Sequence, residues 1–388
     1  MVDERSRVSK RALIVTNIYP PLVGGPATFS HRFASALVER GVRVTVVCAV
    51  PGPPGDGLGY QLVRAGVRGN SVRRELDKRA RLLARMLRND WIFCVGLEEQ
   101  AAWACNILRR RFVLRIGGDV VWEMARNAGM TVLDPEEFYD RVDVYKDPKL
   151  RVPALKRARQ FERASKVVFV SDYLRRLSEH WGLDERADRA VVPNGVETGE
   201  RRRPVRRSGD ALKILFVGRY VNWKGIDAAI LAMQKTEAVN LTIAGAGPLE
   251  PLLKDLVCRL RMEDRVSFEQ SVEPGWMVEF MHRHHVLVLP SLYEGMSNTL
   301  LEAGLAGIAC IASNRGGNRE VIEHDVNGVL VDPFDVAELE RWIVRMKEDE
   351  DFRLRLAEAH QGRVVNHFGI EAATRGCLAA AGWDLAGV

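Results

Sequence analysis

Paired cysteines, long apolar runs and a leader-like start are all missing from this sequence. The six cysteines (Cys48, Cys94, Cys105, Cys258, Cys310, Cys377) are scattered without a Cys-x-x-Cys pair, and most lie in apolar runs where the thiol acts as a small hydrophobe. A disulfide framework or a cysteine zinc site is therefore not expected. No run approaches the roughly 18 consecutive apolar residues of a membrane span. The first ten residues are charged and lead directly into the apolar run at 12–15. They lack the apolar stretch and small-residue cleavage site of a secretory signal, so the expected location is cytoplasmic. Aromatics make up only 7% of the chain, and its basic residues are not interleaved with them on a strand face. That argues against a nucleic-acid binder.

What is present is a chain of 388 residues, 47% apolar and 28% charged, enough for two domains that each bury a core. The formal charge of +6 suits an anionic partner, whether nucleotide, acidic membrane or nucleic acid, without choosing among them.

The apolar pattern alternates between strand-like and helix-like stretches. Arg11–Thr16 reads as a buried strand, followed by the loop Tyr19-Pro20-Pro21-Leu22-Val23-Gly24-Gly25-Pro26 and a helix to about residue 40. Strands follow at 42–49, 91–95, Phe112–Ile116 and 166–170, giving βαβ units and a parallel sheet. The second half repeats this logic. Its strands are expected at Leu212–Val217, 240–244, Val286–Leu289, 308–312 and 328–331, with helices at 227–233 and 249–260. Between the halves lie Pro193-Asn194-Gly195 and the polar, basic stretch 201–209, which read as an interdomain linker. The expected fold is α/β, with two doubly wound, Rossmann-like parallel-sheet domains. The first covers 1–195 and is joined by a returning segment at 369–388; the second covers 196–368.

The stretch Pro290-Ser291-Leu292-Tyr293-Glu294-Gly295-Met296-Ser297-Asn298-Thr299-Leu300-Leu301-Glu302 is the most informative in the chain. A buried strand stops at Pro290, a short loop carries Glu294, and a helix starts near Ser297 or Asn298, both good N-caps. Open parallel sheets bind ligands at this strand-to-helix edge, where amide groups and the positive dipole end favour phosphate. Glu294 falls in the loop and Glu302 early in the helix, so the two can face different parts of an extended ligand. After the strand at Leu212–Val217 come Gly218-Arg219 and Trp223-Lys224-Gly225. An arginine fork and a lysine point charge together can neutralise a diphosphate. Gly245-Ala246-Gly247-Pro248 invites a dinucleotide reading, but Glu250 stands where the third glycine would be. Gly24 and Gly25 let backbone amides approach a ligand closely.

Taken together, these motifs resemble glycosyltransferase family 4, the glycosyl transferases group 1, over nearly the whole chain and in the right order. The resemblance rests on Arg219 and Lys224-Gly225, the Gly245-Ala246-Gly247-Pro248 turn, the Glu294-x7-Glu302 frame, the Gly24-Gly25 loop and Pro193-Asn194-Gly195-Val196. It implies the GT-B fold and retaining transfer of a hexose-type sugar from a nucleoside diphosphate sugar to a hydroxyl acceptor, be it glycan, lipid-linked or small molecule. By that likeness Arg219 and Lys224 hold the leaving diphosphate. Glu294 lies by the transferred sugar, with the backbone of Gly295, Met296, Ser297 and Asn298, and Thr299 beside them, contacting the donor. Glu302 accepts from the ribose hydroxyls, and Gly24 and Gly25 close over the phosphates. The resemblance implies no metal and no cofactor beyond the co-substrate. The chain departs from the family pattern after the strand Phe112–Ile116. Many members carry a histidine there, whereas Gly117-Gly118-Asp119 follows here. Asp119 can take that catalytic role or cap the helix that follows.

Two rival readings stand beside this one: a nucleotide-sugar-binding protein without turnover, and another GT-B sugar enzyme such as an epimerase. The stretch 73–88 puts Leu76, Ala80, Leu83 and Leu87 on one helical face and basic residues elsewhere. It reads as an ordinary domain helix, or alternatively as a peripheral contact with an acidic inner membrane face. His282, His284 and His285 stand without a matching acid cluster, so no metal site is read there. Trp122, Trp223 and Trp276 can stack on a sugar or base, or simply pack.

Overall fold

A computed structural model describes residues 10–383 except 23, 54, 184–186, 200, 201, 207, 208, 210 and 271. The charged start, Val23 of the first glycine loop, Arg201, Arg207 and Ser208 of the linker, and the end of the returning segment lie outside the described residues. Two compact units emerge. The first gathers the chain up to Gly117, Val142–Gly195 and the stretch from Ile370. The second gathers Gly118–Arg141 and Val196–Gly369.

In the first unit the elements run β1 (Arg11–Thr16), α1 (Gly25–Val38), β2 (Arg43–Cys48), β3 (Gln61–Arg64), α2 (Ser71–Met86), β4 (Trp91–Cys94), α3 (Glu98–Ile107) and β5 (Phe112–Ile116). The chain then forms α4 (Val120–Asn127) and α5 (Pro135–Arg141), which pack with the second unit, before α6 (Arg151–Arg163), β6 (Ala164–Phe169), α7 (Asp172–Leu177) and β7 (Arg189–Val191) complete the first. All pairings are parallel, in the order β3-β2-β1-β4-β5-β6-β7.

The second unit runs β8 (Leu212–Val217), α8 (Ile226–Ala232), β9 (Val239–Ala244), α9 (Glu250–Arg259), β10 (Val266–Glu269), α10 (Met277–Met281), β11 (Val286–Leu289), α11 (Asn298–Ala306), β12 (Ala309–Ser313), α12 (Asn318–Val321), β13 (Val329–Val331), α13 (Val336–Glu348) and α14 (Glu350–His367). Its parallel sheet has the order β10-β9-β8-β11-β12-β13. The last helix, α15 (Ile370–Ala381), returns to the first unit, where Glu371 pairs with Arg40 and Trp383 stacks on Trp91 at 4.6 Å.

This is the doubly wound α/β architecture expected in both halves. Central strands such as β1, β11 and β12 are buried along nearly their whole length, as helices covering both faces require. The strands absent from the sequence reading, β3, β7 and β10, all lie at sheet edges and carry polar, half-exposed residues. Two expectations differ from the structure. The segment at 118–141, assigned by sequence to the first domain, packs with the second. Helix α2 buries Leu82 and Met86, whereas Leu76 and Leu87 from the expected apolar face are exposed.

Candidate functional site

In the second sheet, chain order reverses between β8 and β11, its two central strands. Such a switch point is where open α/β sheets leave a crevice at the carboxyl ends of the strands. Arg219 leaves β8 and Glu294 leaves β11 at this point, so the topology brings to one edge residues 75 positions apart in sequence. Lys224, on the loop after β8, places its Nζ 2.6 Å from Glu294 Oε1. Both side chains are largely buried, at 14% and 11% exposure. Burial at this depth makes each charge depend on the other.

Glycines allow the neighbouring loops to close on this edge. Gly245, at φ 145°, lies so near the Gly218 carbonyl that a Cβ would stand 2.0 Å from its oxygen. The Gly245-Ala246-Gly247 turn therefore backs the loop that carries Arg219, and Tyr220 donates its amide to Ala246 O. On the other side, Gly317 donates its N–H to the Glu294 carbonyl at 2.9 Å, and a Cβ on Gly317 would stand 2.0 Å from Gly295 O. Gly316 and Gly317, which the sequence reading passed over, thus hold the Glu294 loop from beneath. Ser297 caps α11 by accepting from Leu300 N, so Asn298 and Thr299 open the helix, whose first amides have no acceptor within it. Met296 is buried and Glu302 is half-buried on the first turn and a half.

Asp119 is fully buried. Its Oδ1 accepts from the amides of Val121 and Trp122, and its Oδ2 accepts from the Tyr139 hydroxyl at 2.7 Å. Of the two roles open to it, the geometry has it capping α4. Its own amide donates to the Tyr293 hydroxyl at 2.6 Å, fixing the start of α4 against the residue before Glu294. Trp122 packs edge-on against Trp223 and lies 5.0 Å from Tyr293, and Asn222 donates to the Arg126 carbonyl. Trp122 and Trp223 are thus core residues, while Trp276 is 65% exposed.

The same helix brings in an acid that the sequence reading missed. Glu123, four residues after the capping Asp119, holds Oε2 3.6 Å from the guanidinium of Arg219. Arg219 is mostly exposed and also leans over the Trp223 ring. Burial pushes the Glu123 carboxyl above the usual range; Arg219 and Lys224 pull it back, and Asp119 and Glu294 add to the rise. The signal in sequence was weak: an acid in the first turn after a strand and a capping Asp.

Gly24 and Gly25 belong to the first unit. Gly24 is the N-cap of α1, the helix that follows β1, and that sheet's own order reverses between β1 and β4. Among the histidines, His282 and His284 bond backbone carbonyls, and His285 Nδ1 accepts from Lys213 N. A cavity of about 390 Å³ in the second unit lies at the opposite edge, by the first residues of β8, β9 and β10. Amino ends of strands present no helix N-termini, so we do not place the site there.

Residues 198–363 match the family model described as glycosyl transferases group 1, and residues 23–200 match the model for glycosyltransferase family 4. The chain belongs to these glycosyltransferases. An uncharacterized glycosyltransferase of Methanocaldococcus jannaschii is 35% identical over 155 residues, 39% of this chain and 40% of that protein. A glycogen synthase of Mycobacterium tuberculosis is 32% identical over 47% of this chain and 45% of its own length. These matches span less than half of either relative. A GDP-mannose-dependent alpha-(1-6)-phosphatidylinositol monomannoside mannosyltransferase of the same species is similar over 88% of this chain and 90% of its own, at 25% identity. Among solved structures, sucrose-phosphate synthase from Thermosynechococcus elongatus superposes with a TM-score of 0.76 at 18% identity, covering 94% of this chain and 96% of that one. The Anabaena HepE structure in complex with UDP and glucose gives 0.75 at 19% identity, covering 94% and 97%. The fold of this glycosyltransferase is therefore GT-B. Among the described residues no helix is long and apolar enough to cross a membrane.

Proposed function

We propose that this glycosyltransferase moves a hexose-type sugar from a nucleoside diphosphate sugar to a hydroxyl acceptor, with the anomeric configuration retained. The reading rests above all on Lys224 and Glu294 meeting at the switch point of the second sheet, with Arg219 exposed on the same edge. In it, Arg219 and Lys224 take the diphosphate and stabilise its charge as the C–O bond to the sugar breaks, an electrostatic role that needs no metal. Glu294, Gly295, Met296, Ser297, Asn298 and Thr299 line the transferred sugar and phosphates, and Glu302 takes the ribose. Asp119 acts by positioning: its bonds to α4 and to Tyr293 hold Glu123 and Glu294 in place. The mannosyltransferase relative named for a phosphatidylinositol acceptor supports a lipid-linked acceptor, as does the exposure of Val72 and Leu76 beside Arg73 and Arg74 on α2. That face suits peripheral contact with an acidic membrane.

The test is thermal stabilisation by UDP, GDP, ADP and dTDP and by their sugars, followed by assay of transfer and donor hydrolysis. Stabilisation by one of them with transfer to an added acceptor supports the reading. No stabilisation at millimolar concentration by any of the four refutes the donor site. Tight binding with neither transfer nor hydrolysis turns the conclusion to a nucleotide-sugar-binding protein.

A further inference from the structure

Glu123 and the charged groups that act on it do not balance for an anion. Two cations, Arg219 and Lys224, stand among three acids, Asp119, Glu123 and Glu294. If all five are ionised, the group carries a net negative charge where the proposed function seats a diphosphate. Asp119 is fixed as a helix cap and by Tyr139, and Glu294 is held by Lys224 at 2.6 Å. Glu123 differs. Its ion pair is the long one, 3.6 Å, to a guanidinium whose side chain is 63% exposed and able to turn toward a ligand. An ionised Glu123 occupies the same fork of Arg219 that a phosphate would take, and its charge repels that phosphate at close range.

We propose that Glu123 is the proton-linked gate of the donor site: it pairs with Arg219 while the site is empty and takes up one proton when a nucleoside diphosphate claims that guanidinium. The proton comes from solvent, no covalent bond to carbon changes, and the resulting carboxylic acid donates a hydrogen bond where a carboxylate would have repelled. The inference rests on the donor-site reading above and deepens it. The charged groups that act on Glu123 are Asp119 at the N-cap of its own helix, Arg219 and Lys224 on the loop after β8, and Glu294 on the loop after β11. Arg126, three residues on, is turned away to the Thr131 carbonyl, and the nearby Tyr293 hydroxyl accepts from Asp119 N. Burial already pushes the Glu123 carboxyl upward with both cations nearby. A diphosphate brings negative charge and removes Arg219, so both changes push it further up. The sign follows: the bound state holds more protons, so affinity falls as pH rises between the free and bound values, by up to about tenfold per pH unit.

The experiment is titration calorimetry of the full chain with whichever of UDP, GDP, ADP or dTDP stabilises it most, in two buffers of different ionisation enthalpy. The free terminal phosphate also titrates near neutrality, so Glu123→Gln, which keeps a hydrogen-bond donor but no proton to exchange, serves as the reference. Wild type should take up as much as one proton more than Glu123→Gln, and its dissociation constant should climb more steeply with pH. A second variant, Arg219→Met, should reduce the proton uptake even as it weakens binding, because Glu123 then carries its proton beforehand. Equal proton uptake by wild type and Glu123→Gln, with both binding, overturns the gate and leaves the donor site standing. Failure of all four nucleotides to bind wild type overturns the donor site and the gate with it.

Discussion

His360 offers a quantitative test of how the helix carrying Glu302 is held. It lies in α14, fully buried, with Nε2 2.8 Å from the Leu300 carbonyl of α11 and Nδ1 3.2 Å from Asn327 Nδ2. Asn327 also donates from Nδ2 to Val321 O and accepts at Oδ1 from Glu323 N, which fixes its amide orientation. Nδ1 of His360 must then accept, and Nε2 carries the proton. A second proton would face an N–H donor in a fully buried site. Accordingly burial pulls the imidazole from 6.5 down to about 4. The unfolded chain takes its proton as pH falls through 6.5, while the folded chain resists until about 4. The contribution of His360 to the unfolding free energy therefore drops across that window and is flat on either side. A shift of this size corresponds to about 3 kcal/mol, most of it lost above pH 4.5. His360→Gln abolishes the titration but disturbs both partners, at a cost of about 1–3 kcal/mol near neutrality. Urea unfolding of both proteins between about pH 4.5 and 7.5, with the slope against denaturant checked for constancy, measures the difference. Titrating carboxylates are common to both and cancel. The wild type's advantage should shrink or reverse toward acid pH. Parallel stability curves for the two proteins would refute the neutral-histidine lock.

Other perturbations address the site more directly. Lys224→Met leaves the Glu294 carboxylate buried without its cation and should cost about 3–5 kcal/mol of stability and abolish nucleotide-induced stabilisation, both read from melting temperatures. Gly317→Ala forces a Cβ against the Gly295 carbonyl, so donor affinity should fall with no charge altered; unchanged affinity would detach this loop from the site. Asp119→Ala should lose about 1 kcal/mol through the cap, whereas Asp119→Asn keeps an acceptor oxygen and most of that stability. Unchanged turnover in Asp119→Asn would confine the residue to positioning. Leu76→Glu on α2 should reduce sedimentation with vesicles rich in acidic lipid while leaving nucleotide binding intact, and equal sedimentation would remove that face from membrane contact.

Which parts of this molecule were legible in the sequence follows from how far each signal travels along the chain. Central strands announce themselves because both faces are buried, so β1, β8 and β11 read as uninterrupted apolar runs. Edge strands such as β3 and β10 bury one face at most and merge with their loops. That Arg219, Lys224 and Glu294, each a few positions after a strand, meet at one edge was legible because parallel topology gathers strand ends there. Glu123 was not. Its approach to Arg219 depends on α4 leaving the first unit's chain run to pack on the second, a choice set by Trp122 against Trp223 and Tyr293 and by the Asp119–Tyr293 bond. No local period encodes that. The consequence bears on the departure from the family pattern after Phe112–Ile116. Asp119, standing where many members have a histidine, is buried as a cap, and the acid that reaches the cations lies one helical turn later. A search for the missing function at position 119 alone would therefore test the support of the site, while substitution at Glu123 tests its charge.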